Sequence, residues 1–287
     1  MKFNRLPPFL FGLAASVSCA AVVAVFAFLF YFSAPAFSIQ GMNQVFSWTW
    51  HPFGGQFGIL PMIVGTVCLA GTAMCLAYPL AVGICCFVHG LGPGYLRRPV
   101  LILVEFMTSI PTVVYGFVAV FLLVPYIRRA FEHGTGYSWL AASLMLALLI
   151  LPTMVLMLHN QFRIVEPEVR TTALALGMNH VEKFVYVVFP QSGKGFLSAA
   201  VLGFGRAVGD TLLPLMLAGN AVESPASPLD SIRTLTSHIA LVVATDSQSG
   251  AYHSLFVCGM LLFLASFGVN AALHWIAASG KEGTSHV

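Results

Sequence analysis

Charge is what this sequence has least of. Only 8% of its 287 residues are Asp, Glu, Lys or Arg, against about 25% in a soluble domain. With 58% hydrophobic residues besides, the chain reads as an integral membrane protein. A net charge of +3 is too small to imply nucleic acid as a partner, and the few basic residues serve better as topology signals. A GxxxxGK[ST] phosphate loop is missing too: Gly193-Lys194 runs into Gly195 and lacks the upstream glycine,. Any ATP-driven step therefore needs an ATPase on another chain. Gly203 and Gly205 form a GxG inside an apolar run rather than after a strand, which excludes a dinucleotide-binding turn,. Cysteine pairs at metal spacing are absent. Cys19, Cys68, Cys75, Cys85, Cys86 and Cys258 all fall in apolar runs and read as small buried hydrophobes, so no disulfide and no metal site is expected.

Long apolar runs, by contrast, are plentiful. Six are long enough to cross a bilayer, given that about 20 residues are needed. They cover roughly 9–32, 60–88, 101–124, 138–158, 195–218 and 253–278. The expected fold is all-α and polytopic, with six transmembrane helices. Residues 1–59 hold the first helix and an outer loop, 60–278 the membrane domain, and 279–287 a tail. Ala34-Pro35-Ala36 resembles a signal-cleavage site, but the run before it exceeds the 7–15 residues of a signal peptide's apolar region. The first helix is expected to stay.

Basic residues set the orientation. With a cytoplasmic N-terminus, Lys2, Arg5, Arg97, Arg98, Arg163, Arg170, Lys183, Lys194 and Lys281 lie inside, and Arg128, Arg129 and Arg233 outside. Nine against three favours both termini in the cytoplasm. Arg128 and Arg129 either flank the mouth of an anion path or anchor a helix end.

Residues 159–195 form the longest polar stretch. Glu166-Pro167-Glu168 fits a helix start, with proline early and acids in the first turn. That helix should end at Gly177, which permits a left-handed turn. A second short helix over roughly 180–188 should stop before Pro190. This helix–turn–helix pattern resembles the coupling motif of ABC-importer permeases: EAA, three residues, Gly, nine residues, then Ile-x-Leu-Pro. Here it reads Thr171-Thr172-Ala173, then Gly177, then Val187, Phe189 and Pro190. The resemblance implies a type I permease fold and a loop that docks on an ATPase subunit. Thr171 stands where the family usually has Glu, which puts one salt bridge to that subunit in doubt.

Three further segments are similar to the phosphate-specific branch, the PstC and PstA permeases, and more to the former. Ser109-Ile110-Pro111-Thr112-Val113-Val114-Tyr115-Gly116 resembles its (G/S)IPSVVYG segment. Gly205-Arg206-Ala207-Val208-Gly209-Asp210-Thr211 resembles GRA(I/V)GET, with Asp210 in place of Glu. Arg233-Thr234-Leu235-Thr236 resembles an outer loop. The resemblance implies an inner-membrane permease of a bacterial phosphate importer that performs no bond chemistry and carries no cofactor. Its implied partners are a second permease, two ATP-binding subunits that hold ATP and Mg, an extracytoplasmic phosphate-binding protein, and phosphate itself. A permease for molybdate or sulfate, or an ion-driven secondary transporter, are the alternatives. The latter class often shows paired repeats with broken helices at matching positions, and no such pairing is visible.

Arg206 and Asp210 are the chemical centre of this reading. They lie four residues apart in the fifth run, about 6 Å along a helix and on one face. Such a pair is either an ion pair that locks helices or an oxyanion contact. An Arg fork suits phosphate, and a nearby Asp would weaken its grip and accept a hydrogen bond from a protonated anion. Gly205 and Gly209 have the spacing that lets another helix approach. Glu105 lines the inner mouth of the third run or reaches the interface. Ser109, Thr112 and Tyr115 are candidate lining groups beside Pro111 and Gly116, which can break that helix.

Overall fold

Helix dominates the chain because only a helix satisfies every backbone group within one segment when no water is near. The computed structural model describes residues 6–34, 43–132, 134–243 and 250–278. Lys2, Arg5, Lys281 and the tail 279–287 lie outside them. Among the described residues, five helical stretches are long and apolar enough to cross a membrane: Leu10–Ser33, Leu60–Leu91, Thr112–Phe131, Trp139–Ala175 and Ser254–Ile276. The remaining crossing, expected at 195–218, is not among them, because that run is divided into two shorter helices.

Helix α1 (Leu6–Ser33) leans on the last helix through aromatic pairs, with Phe26 5.3 Å from Phe263 and Phe32 4.8 Å from Phe256. Most of its described side chains are exposed, with Leu29 half-buried and Ser33 buried, as suits a helix with one side facing lipid. A small antiparallel hairpin follows, β1 (Trp50–His51) with β2 (Gln56–Phe57), and Trp50 lies opposite Phe57. Trp50 also packs edge-on against His238 at 4.4 Å.

Helix α2 (Leu60–Cys86) continues as a π-helical turn over Phe87–Leu91. Its buried face is Ala70, Ala73, Ala77 and Ala81, a run of small residues that lets another helix approach closely. That neighbour is α6 (Trp139–Ala175). Trp139 donates its Nε1 to Thr72 Oγ1 at 2.9 Å, and Cys85 Sγ lies 3.3 Å from the carbonyl of Val155. Of the cysteines, only Cys85 and Cys258 are buried; Cys19 and Cys75 are exposed.

Two of the expected spans break, the third at the proline that can break it and the fifth where no break was expected. The run expected at 101–124 divides into α3 (Gly94–Thr108) and α4 (Thr112–Val118). The chain then continues through a π segment at Ala119–Leu123 into α5 (Val124–Phe131). Pro111, at φ −59° and ψ 141°, supplies no N–H and disfavours helix in the residue before it. The crossing thus starts later, and Arg128 and Arg129 fall in its last turn, where cations complement the helix end. The fifth run is α9 (Gly193–Gly209), then Asp210 in extended backbone at φ −73° and ψ 132°, then α10 (Leu212–Leu217). Short α11 (Leu235–Val243) and long α12 (Gly250–Ala278) complete the chain.

Helix α6 departs from expectation in the other direction. No new helix starts at Glu166-Pro167-Glu168. One 37-residue helix runs through both Pro152 and Pro167 to Ala175. Val165, Val169 and Ala173 repeat every fourth residue along its extension and are all buried, so packing holds the helix past the proline. After a turn come α7 (His180–Lys183), a π segment at Phe184–Val188 and α8 (Phe189–Gln191). This second helix passes Pro190 instead of stopping before it. The π segment just ahead alters the hydrogen-bond register that an interior proline would otherwise break.

Gly65 on α2 faces the backbone of the loop before α11, and a Cβ there would overlap the carbonyl oxygen of Arg233. Gly65→Ala should therefore lower the thermal midpoint of the solubilised protein, at a cost of about 1–3 kcal/mol. An unchanged midpoint would show that this contact yields freely.

Candidate functional site

Arg206 lies in the last turn of α9, just before the break. Its guanidinium makes no hydrogen bond with any described residue and no salt bridge within 4.0 Å, Asp210 included. Of the two readings, the helix-locking ion pair is therefore not formed. Asp210 has left the helix, so the two residues do not continue one helical face. The Asp210 carboxylate instead caps the next helix, its Oδ2 accepting from the N–H of Leu213 at 2.9 Å. Its backbone carbonyl accepts from Thr236 Oγ1 at 2.9 Å.

Arg206 opens into a cleft of about 290 Å³ between α6, α9 and α12. Thr153, Ser266 and Asn270 supply its other polar groups, and Leu202, Val269 and Leu273 part of its apolar wall. Gly205 makes the close approach possible, since a Cβ there would meet Val269 Cγ1 at 2.7 Å. Gly209, expected to share that role, has nothing within 4 Å of its Cβ position.

The remaining path candidates divide into two groups. Tyr115 lies within electrostatic reach of Arg206. It is buried, and its hydroxyl donates to the carbonyl of Met107 at 3.0 Å, across the gap left by the first break. Gly116 beside it lets α10 close in, for a Cβ there would meet Met216 Sδ at 2.6 Å. The two broken spans therefore meet. Thr112 is the first residue of α4 and Ser109 caps α3. Glu105 is exposed on α3 and lies within electrostatic reach of His159.

At the opposite end of α6 the turn residues form a compact lobe. Gly177 has φ +68°. Its N–H donates to the carbonyl of Leu174 at 3.0 Å, and the N–H of Met178 to that of Ala173 at 3.0 Å. That bond pair is the Schellman ending. Asn179 and Glu182 then form a capping box that starts the next helix,. Lys183 Nζ lies 2.7 Å from Glu166 Oε1 and ties the lobe back to α6. Arg97 Nη1 is 3.2 Å from His180 Nε2, and burial, with Arg97 and Lys183 beside it, pushes His180 below the ordinary imidazole range. Thr171 and Thr172 are exposed and Ala173 is buried. A second cleft of about 290 Å³ runs along Glu168, Thr172, Leu176, Met178, Val187 and Gln191, next to Pro190.

Some of these groups are not apparent as partners in the sequence. His89 Nε2 lies 2.8 Å from His159 Nδ1, across 70 residues. Thr234, Thr236 and Ser237 join hydroxyls at 2.9 Å, and Thr66 accepts from the N–H of Leu235 at 2.9 Å. Only helical spacing points to Ser266 and Asn270, two polar residues one turn apart in an apolar run.

The model of the family described as "binding-protein-dependent transport system inner membrane component" matches residues 86–278. The probable ABC transporter permease protein YqgH of Bacillus subtilis is 30% identical over 273 residues, covering 93% of this chain and 88% of that one. The phosphate transport system permease protein PstC of Xylella fastidiosa is 32% identical over 272 residues, covering 86% and 83%. An inward-facing structure of the MetNI methionine ABC transporter aligns at a TM-score of 0.58 and 15% identity, over 79% of this chain and 99% of that one. At that identity the match carries the fold alone, which is the type I permease fold.

Gly177 has open space at its Cβ position, so only its backbone conformation resists substitution. Gly177→Ala should cost about 1–2 kcal/mol and should raise amide hydrogen exchange across 174–183. Protection equal to wild type would remove the requirement for glycine at this turn.

Proposed function

The chain belongs to the family of binding-protein-dependent transport system inner membrane components, and from that premise we propose that it is the permease subunit of an ATP-driven phosphate importer. Family membership implies an ATPase and a substrate-binding protein as partners. In the assembly proposed here the chain pairs with a second, similar permease, two ATP-binding subunits and an extracytoplasmic phosphate-binding protein. ATP and Mg belong to the ATPase, and this chain makes and breaks no bonds. Its site is a bacterial inner membrane, with the hairpin end outside and the lobe end in the cytoplasm.

The observation that carries this reading is the unpaired Arg206. A charged side chain at the centre of a membrane helix costs about 2.5–3.5 kcal/mol on insertion scales. No described residue of this chain forms an ion pair with it. A planar fork left free in a cleft that also holds Thr153, Ser266 and Asn270 suits a transient oxyanion. Phosphate is the choice among oxyanions because three motif segments and the PstC relative of Xylella fastidiosa agree on it. At the other end, Leu174, Leu176 and Tyr186 present exposed apolar surface beside Thr171 and Thr172. That surface suits a protein partner better than water, and we assign it to the ATPase.

Orientation can be tested directly. Single cysteines placed at His51 and Asn179 in a background without the native cysteines should label from opposite faces, His51 from outside. Labelling from one face would overturn the topology.

The site has a sharper test. Arg206→Gln should abolish phosphate uptake by the reconstituted complex while insertion and ATPase binding persist. Asp210→Asn keeps a competent cap and should retain most uptake. Asp210→Ala should lose about 0.5–2 kcal/mol of local stability and reduce uptake. Because no ion pair joins the residues, adding Asp210→Asn to Arg206→Gln should restore nothing. Near wild-type uptake by that double variant would mean that Arg206 does not touch substrate.

A further inference from the structure

The cleft around Arg206 contains one group whose chemistry differs from the rest. Arg206 offers only donors. Thr153 and Ser266 offer hydroxyls that donate or accept. Asn270 donates its Nδ2 to the carbonyl of Ser266 at 3.1 Å, which leaves Oδ1 as the free acceptor of a residue lining the cleft,. Asp210, the acceptor suggested by sequence, already receives the N–H of Leu213 and is not among the residues lining this cleft.

We propose that Asn270, through Oδ1, is a specificity-determining residue that accepts the O–H of a protonated tetrahedral oxyanion held by Arg206, with Thr153 and Ser266 completing the contact. The proposal rests on the phosphate-importer reading and refines it. Near neutral pH, inorganic phosphate and its close analogues carry at least one O–H beside their charged oxygens. A ligand of that kind needs a cation fork and one acceptor. Asn270 supplies the acceptor without a second negative charge, so the anion is recognised without being repelled. Sulfate has no O–H at this pH. Its oxygens would face Oδ1 lone pair to lone pair, and a site built to pair a hydroxyl rejects an analogue that lacks one. Ser266 and Asn270, one turn apart on α12, and Thr153 on α6 reach the same cleft from two helices. Three polar residues converging on an unpaired guanidinium in an open cleft at the face of an apolar helix bundle are what an anion contact requires.

The experiment measures equilibrium binding of radiolabelled phosphate to the assembled transporter without its binding protein, with sulfate as competitor, alongside uptake by the complete system. Asn270→Leu, which keeps size and removes the acceptor, should weaken phosphate binding about tenfold, the order expected for one lost hydrogen bond. Sulfate should then compete relatively better, which a merely structural defect would not produce. Thr153→Val should weaken both anions alike. Asn270 is exposed on the single chain, and Asn270→Ala provides a second variant should the Leu variant assemble poorly. If wild type transports phosphate while both Asn270 variants keep its affinity and its preference over sulfate, the inference fails and the importer reading stands. That result would also follow if the cleft held a phospholipid headgroup, whose phosphodiester has no O–H. If wild type neither binds nor transports phosphate, the importer reading itself fails.

Discussion

A helix that breaks inside a bilayer must still find partners for the backbone groups it frees, and this chain finds them among its own side chains. At the first break Tyr115 Oη donates to the carbonyl of Met107. At the second, Asp210 Oδ2 accepts from Leu213 N–H while Thr236 Oγ1 donates to the Asp210 carbonyl. An unsatisfied backbone group in hydrocarbon costs several kcal/mol. These three bonds, together with backbone bonds such as Ile110 N–H to the same Met107 carbonyl at 3.4 Å, therefore lower the cost of the breaks. The breaks in turn shape the interior, because α4 and α10 are short enough to meet at Gly116 and Met216.

The second break also helps to explain how Arg206 is tolerated without a carboxylate. It stands in the last turn of α9, where the unpaired carbonyls of a helix end carry partial negative charge worth typically 0.3–1 kcal/mol to a nearby cation. The side chain reaches an open cleft instead of a packed interior. In a continuous helix, Asp210 would have followed one turn on and been the natural counter-ion. By turning Asp210 into a cap, the break leaves the guanidinium free for a ligand.

Much of this was legible in the sequence, and the errors have identifiable causes. Runs of apolar residues located the crossings because lipid demands length and composition, and both are visible in one dimension. Gly177 was legible because a left-handed turn selects glycine. Pro111 and Gly116 were seen as able to break a helix, but not where the crossing would then begin. Pro167 misled in the opposite sense: acids and a proline mimic a helix start, yet packing of Val165, Val169 and Ala173 carries α6 through it. The break at Asp210 gave no composition signal, since its stabilising partner Thr236 is 26 residues away. The third cleft group, Thr153, also lay beyond reach, for it joins Ser266 and Asn270 from a different helix.

The length of α6 is what connects the two ends of the molecule. Its 37 residues make a rod about 55 Å long at 1.5 Å per residue, far more than a bilayer core requires. The same rod carries Thr153 in the cleft and Thr171, Thr172 and Ala173 at the lobe. The Schellman ending and the Lys183–Glu166 bridge fasten the lobe to it. A separate helix starting at Glu166 would have placed a joint between lobe and membrane, and a joint absorbs motion. With no such joint, Thr153 and the lobe residues Thr171, Thr172 and Ala173 belong to one helix. The alanine face of α2 is what α6 packs against, and small residues offer little steric interlock there. The proposed ATPase surface and the proposed anion contact are therefore connected through a single element, and that connection depends on α6 remaining one helix through Pro167.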